Sequence, residues 1–358
     1  MTHCDTSGVP FAVLHNALSN GKFTDKGRNM KRREFIGLVG GAAATWPVKA
    51  RTQPSPNKIP LIGVLWHAGS AEEEEVYLSV LEKAFSDLGY VDRQNIVLEH
   101  RFPAEQPDRF RSLARELVES KPDAIIAVTV LGAVELKKLT NTIPIVFVLM
   151  ADPVGFGFVE SLAHPGGNAT GLSLMTNDLS GKRLELLKEA VPNLSRVALL
   201  VDRTDAFRER SIKAHLASAQ AMGIYLSSLE IASLDDIEPA FDKITQDGAD
   251  GAIWGIGALL FNQRSRIGAL ALAHRLPVVV SVAEEVPHGL LMSYGQDYPD
   301  FFRRSVRYVD RILKGAKPAD LPVEQPTEFK LVLNVRTAKA FGLKLPQTLV
   351  VSANELIE

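Results

Sequence analysis

Cysteine is almost absent from this sequence. One, Cys4, stands among 358 residues, which excludes a disulfide framework and, past residue 4, any thiol nucleophile, thiolate metal ligand or lipid-anchoring cysteine. A charge excess is missing too: 40 Lys and Arg face 42 Asp and Glu, for a formal net charge of -2. No basic run interleaved with aromatics occurs, so the electrostatic footprint of a nucleic-acid binder is lacking and a small-molecule or protein partner is expected. Hydrophobic runs are short; only one, near the N-terminus, approaches membrane use, which rules out a polytopic membrane protein. The length accommodates two globular domains.

Catalytic motifs are lacking as well. There is no Gly-x-Ser-x-Gly elbow, no Gly-x-x-x-x-Gly-Lys-Ser/Thr phosphate loop and no His-Glu-x-x-His helix, and Gly255-Ile256-Gly257 and Gly155-Phe156-Gly157 each lack the third glycine of a dinucleotide fingerprint. His67, His100, His164, His215, His274 and His288 are scattered without metal-ligand spacing. No catalytic residue, metal or cofactor is expected, and residues 1–58 hold no helix-turn-helix.

What is present begins with a targeting pattern. Lys31-Arg32-Arg33-Glu34-Phe35 leads into a short Gly/Ala-rich core that ends in Val48-Lys49-Ala50, the order of a secretory signal peptide. Arg32 and Arg33 resemble the pair of a twin-arginine signal, which implies export of the folded chain by the twin-arginine machinery to the periplasm. Residues 30–50 are accordingly expected to be the signal and residues 1–29 an upstream extension. Beyond residue 50 the chain carries 33 Lys and Arg against 39 Asp and Glu and no cysteine.

From residue 59 apolar, β-branched runs alternate with amphipathic segments, the pattern of an α/β protein with parallel strands buried on both faces. Gly89, Gly223, Gly248 and Gly315 stand where helices need a left-handed stop, and Ser233 with Asp236 makes a capping box. The order Asp123, strand, helix, Pro144, strand recurs as Asp250, strand, helix, Pro277, strand. Two similarly built lobes are therefore expected, 59–171 plus 285–322 and 172–284 plus 323–358. In open parallel sheets the ligand crevice lies at the carboxyl ends of the strands, and two such ends facing each other enclose a small polar solute.

Long motifs carry a family resemblance over nearly the whole chain past residue 50. They are Ile143-Pro144-Ile145-Val146-Phe147, Asp152-Pro153-Val154-Gly155, Ser161 through Gly171, Gly181-Lys182-Arg183-Leu184-Glu185-Leu186-Leu187-Lys188-Glu189, Tyr294-Gly295-Gln296-Asp297, Tyr308 through Pro326, and Asn334 through Gly342. The chain resembles the substrate-binding proteins of ABC transporters with the type I periplasmic-binding fold, in the branch related to tryptophan- and aromatic-amino-acid-binding members. The resemblance implies two lobes, each a mainly parallel sheet flanked by helices, with the ligand cleft between them. It further implies capture of a small solute, an amino acid or related carboxylate, by lobe closure without chemistry, and docking on an inner-membrane ABC permease. A ligand-presenting sensor component that docks on a membrane receptor is the alternative.

The same resemblance places the ligand at the strand-end loops. Trp66 offers a ring face or closes the core; Ser70 and Thr129 donate to a carboxylate or cap helices. Asp152 accepts an ammonium or caps a helix before Pro153. Ser173 sits where both lobes reach, Asp202 and Glu284 suit a cationic group or remain solvated, and Tyr294 walls the pocket or fills the first lobe. Gly166, Gly167 and Gly171 are read as the first crossover between lobes, with further crossings near 283–286 and 321–328. Thr129-Val130-Leu131-Gly132 and Val201-Asp202-Arg203-Thr204 depart from the small polar loops usual in the branch, so the resemblance does not carry the aromatic identity of the solute over to this chain.

Overall fold

The buried runs assemble into two sheets. The computed structural model describes residues 58–174, 179–203, 205, 208–255, 257–326 and 328–358. Cys4, Arg32, Arg33 and the expected extension and signal lie outside the described residues. Strands β1 (Leu61–Leu65), β2 (Val97–Arg101), β3 (Ala124–Thr129), β4 (Ile145–Ala151) and β5 (Ala169–Leu174) form a parallel sheet in the order β2-β1-β3-β4-β5. A second sheet takes β6 (Arg196–Asp202), β7 (Tyr225–Ile231), β8 (Gly251–Trp254), β9 (Val278–Val280), β10 (Met292–Gln296), β11 (Phe329–Asn334) and β12 (Glu355–Ile357), in the order β12-β11-β10-β9-β8-β6-β7. Only the β10–β11 pairing is antiparallel.

The internal repeat is visible in this topology. The order β2-β1-β3-β4-β5 recurs as β7-β6-β8-β9-β10, with β11 and β12 added at one edge. The repeated aspartates do the same work in both halves. The Asp123 carboxylate accepts from the Leu61 backbone N–H at 2.9 Å, and that of Asp250 accepts from the Ser195 and Arg196 N–H groups at 2.8 Å each. Each ties the start of its third strand to the start of the first.

Alternation along the strands fills four cores. On one face of the first sheet Ile62, Val64 and Trp66 meet helices α1 (Glu75–Asp87) and α9 (Tyr298–Leu313); on the other Leu65, Ile125 and Phe147 meet α2 (Pro107–Glu119) and α3 (Val130–Leu139). The second sheet buries Leu199, Ile253 and Val279 with Leu184 and Leu187 of α4 (Ser180–Ala190) and with Ala219 of α5 (Arg208–Ala221). Its opposite face packs on α6 (Ile237–Gln246) and α8 (Arg264–Ala273), beyond a short α7 (Ala258–Asn262). Helices α10 (Val335–Phe341) and α11 (Gln347–Ser352) follow β11. Gly89, Gly223, Gly248 and Gly315 all have positive φ, as left-handed stops require, and the Ser233–Asp236 capping box forms. Among the described residues no helix is long and apolar enough to cross a membrane.

Two expected crossings are corrected. Residues 165–171 do not pass between the sheets but lead into β5, the edge strand of the first. Asn168 ties this segment to that lobe by donating to Ile143 O at 2.8 Å, and the Thr170 hydroxyl donates to Leu321 O at 2.6 Å. The chain leaves the first sheet only after Leu174. Likewise 283–286 belongs to a 3-10 turn (Ala283–His288) joining β9 to β10 within the second sheet. Hence β10 belongs to the second lobe rather than the first, and the chain returns to the first sheet at α9. Glu324 still bridges to Leu172 of β5, so the last passage falls between 324 and Phe329.

Gly171 is a close-packing glycine and not a hinge. Its φ is +150°, and a Cβ there would lie 2.0 Å from the Phe147 carbonyl oxygen of the neighbouring strand. Gly171→Ala is expected to lower the unfolding free energy by about 2–3 kcal/mol. Gly166→Ala, at φ +79° and with the Glu160 side chain as its nearest obstacle, should cost about 1 kcal/mol. Urea titration of both variants checks the ranking, and equal losses would contradict it.

Candidate functional site

The carboxyl ends of the parallel strands in the two sheets meet. Tyr77 of α1 donates its hydroxyl to Glu284 Oε2 at 3.4 Å and stacks on Phe261 of α7 at 5.6 Å between ring centroids. Asp152, just past β4, pairs with Arg210 of α5 at 3.0 Å. All these contacts join the first lobe to the second. Asp152 has a left-handed φ of +52°, fixed by a hydrogen bond from the Gly155 N–H to its Oδ1 at 3.0 Å. This leaves Oδ2 for Arg210.

The residues predicted for the site divide into three groups. Thr129, Asp152, Glu284 and Asp202 stand at the facing strand ends. The Thr129 hydroxyl oxygen is buried with no hydrogen-bond partner among the described residues. Asp202, buried at the end of β6, lies against Gly257. The Glu284 carboxyl is raised by burial, reinforced by the nearby Asp297 charge. Ser70 and Ser173 serve their own segments: Ser70 Oγ accepts from the Glu73 N–H at 3.4 Å, and the buried Ser173 hydroxyl donates to Leu174 O at 3.5 Å.

Trp66 is core rather than a ring face for a ligand, and Tyr294 belongs to the second sheet rather than filling the first lobe. Trp66 is 0% exposed, its ring stacks with His100, Phe102 and Phe302 at 6.1, 6.3 and 5.7 Å, and its indole N–H donates to His100 Nδ1 at 2.9 Å. Every surface of that ring is spent inside the first lobe. Tyr294 lies in the second sheet, tilted against Phe329 at 6.1 Å.

Other polar groups gather at the same ends, and composition did not single them out. Glu74 Oε2, Asn262 Oδ1, Ser281 Oγ, Glu285 Oε2, Ser293 Oγ, Gln296 Nε2 and the Tyr298 hydroxyl are buried without a hydrogen-bond partner among the described residues. Buried polar atoms are rarely left so, because each costs about 1–3 kcal/mol. Arg183 joins them: its Nε donates to Tyr294 O at 2.8 Å, and burial brings its guanidinium down to about 10 despite the nearby Tyr298 and Glu285. Burial also raises the Tyr77 and Tyr298 hydroxyls. Glu285 is pushed up to about 8 by burial, against the hydrogen bond its Oε1 accepts from Trp254 Nε1 at 3.1 Å. Signals for these residues exist in the sequence. Glu74, Tyr77 and Leu81 follow the i, i+3, i+7 spacing of a buried helix stripe, while Arg183 and Gln296 sit inside two of the long motifs.

Against this geometry the comparisons with known proteins are specific. The model of the family described as ABC transporter substrate binding protein matches residues 72–357. The chain belongs to this family. As a substrate-binding protein it is 24% identical over 263 residues to a tyrosine-binding protein of Clostridioides difficile, covering 73% of this chain and 75% of that one. A conserved domain protein of Vibrio cholerae has a crystal structure with 25% identity and a TM-score of 0.76, covering 84% of this chain and all of the other. A Streptococcus pneumonia ABC domain in complex with L-Trp shares 22% identity, with the same TM-score and coverage. The fold of this substrate-binding protein is therefore the type I periplasmic-binding one.

Proposed function

We propose that this substrate-binding protein captures an amino acid, or a closely related small carboxylate, between the carboxyl ends of its two sheets and gives it up unaltered to an ABC permease. The observation that carries this reading is the set of buried, unpartnered polar atoms contributed from both sides: Glu74 and Thr129 from the first lobe, Ser281, Glu285, Gln296 and Tyr298 from the second lobe and the segment leaving it. A zwitterionic solute supplies the missing partners, and enclosure by two lobes is how a binding protein desolvates such groups. Tyrosine and L-tryptophan are the ligands named for two relatives, which supports the amino-acid class.

Closure of the lobes follows from the same reading. The Asp152–Arg210 pair and the Tyr77–Glu284 hydrogen bond belong to the closed arrangement and separate when the solute leaves. Export by the twin-arginine route through Arg32 and Arg33, and action in the periplasm, complete the proposal.

A thermal-shift screen of the full chain against the twenty amino acids and small carboxylates tests it. A true solute at about 100 times its Kd contributes about 2.7 kcal/mol by mass action, a rise of several degrees in Tm. No shift with any of them, or saturable turnover of one, would overturn the reading.

A further inference from the structure

We propose that Glu74 receives the ammonium group of the bound amino acid, while the hydrogen-bond donors of the second lobe receive its carboxylate. This rests on the amino-acid reading above and adds to it the orientation of the solute. Glu74 ends the turn that follows β1. Its Oε1 accepts from the Ala68 N–H at 3.0 Å and the His67 N–H at 3.3 Å, and the His67 ring Nε2 stands 3.3 Å from the same oxygen. His67 is braced in turn by Glu105, 2.7 Å from its Nδ1. One carboxylate oxygen is thus fully engaged and fixes the group in place. The other, in a residue only 1% exposed, has no partner among the described residues.

A desolvated carboxylate oxygen with no donor is what an alkylammonium satisfies best, since the hydrogen bond is charge-assisted and the medium excludes water. The neighbouring acids are less suited. Glu284 already accepts from the Tyr77 hydroxyl, and Glu285, with Trp254 on Oε1, remains protonated up to about 8 by burial, which makes its free oxygen a donor. The unpartnered atoms of the second lobe and its exit segment also include the Ser281 and Ser293 hydroxyls, the Gln296 Nε2 amide and the Tyr298 hydroxyl, all able to donate. Glu74 supplies an unpartnered carboxylate oxygen from the first lobe, where the Thr129 hydroxyl also lies, and the second lobe supplies the Ser281, Ser293 and Gln296 donors beside one acceptor, Asn262 Oδ1, so a solute with a cationic and an anionic end finds partners in both lobes.

Isothermal titration of the full chain with L-tyrosine and L-tryptophan, and with 3-(4-hydroxyphenyl)propionate and indole-3-propionate, separates the possibilities. These analogues lack only the amine. Glu74→Gln keeps the side-chain shape and an oxygen for the backbone N–H groups. It is expected to weaken the amino acid that binds by roughly 10–100-fold and to leave its des-amino analogue within about threefold. Equal losses for both, or no loss, would overturn the assignment of Glu74. Wild-type protein that binds neither these two nor any other amino acid would instead sink the amino-acid reading, and this inference with it. Circular dichroism checks that the variant folds; if it does not, Glu74→Met, of similar volume and without charge, is read by the same comparison.

Discussion

Glu285→Gln is expected to remove from the wild-type stability profile a contribution that falls between pH 4.5 and 8. An unfolded glutamate ionises near 4.5, whereas Glu285 in the folded chain holds its proton to about 8. Over that window the unfolded state binds fewer protons, so stability is fully present below pH 4.5 and is lost as pH rises towards 8. At about 1.4 kcal/mol per pH unit the loss reaches roughly 4 kcal/mol by pH 8. Glu284 and four histidines act in the same range: Glu284, raised by burial, adds to the fall, while His100 and His288, lowered by burial, oppose it. Burial lowers His215 to about 4, with Arg183 adding to the effect, so it works the other way between pH 4 and 6.5. His67 is raised because Glu74 and Glu105 outweigh its burial, and its contribution is lost as pH rises past 6.5. Only the difference between variant and wild type isolates Glu285. Denaturant titrations of both at a series of pH values should diverge steadily, and parallel profiles would show that the Glu285 carboxyl is ionised in the folded chain.

Trp66→Ala is expected to lower stability by about 3–5 kcal/mol, with a fall in Tm on the order of 10 °C. The indole is wholly buried and stacked against His100, Phe102 and Phe302, so its removal opens a cavity that three rings surround. The His100 ring, lowered by its burial and held as acceptor for the indole N–H, would lose its partner at the same time. The decisive measurement pairs a thermal melt with solute titration at a temperature where the variant remains folded. A melting point close to wild type with abolished solute binding would return Trp66 to the ligand site.

These two side chains mark the boundary of what the sequence makes legible. The α/β plan was readable because a strand buried on both faces must be apolar at consecutive positions, and each helix must carry its own stripe and stop. Both are properties of short windows. Asp123 and Asp250 were readable as a repeat because each binds the start of the first strand in its half, a local rule used twice. The edge strand β5 was missed as a strand because Gly-Gly-Asn-Ala-Thr-Gly has the composition of a turn, while its pairing to Phe147 demands a glycine for closeness rather than for flexibility.

The candidate site was legible as a region and less so as residues. Thr129, Asp152, Asp202 and Glu284 stand where strand ends were expected, since the carboxyl end of a parallel strand is fixed by chain direction alone. Glu74 was hidden in Glu72-Glu73-Glu74-Glu75, which reads as a solvated acidic run, and only packing of α1 against the sheet turns one of the four inward.

By itself, then, the sequence determined the alternation of strands and helices, the doubling of the plan, the glycine stops and the end of each sheet at which polar side chains collect. The tertiary structure decided which of those side chains are desolvated. Trp66 went to the core, and Glu74, Arg183 and Glu285 are buried too. The physical reason is that burial belongs to pairs of surfaces: whether a carboxyl keeps its water depends on elements hundreds of residues away in the chain, as Tyr77 and Glu284 are, and no local pattern records that meeting.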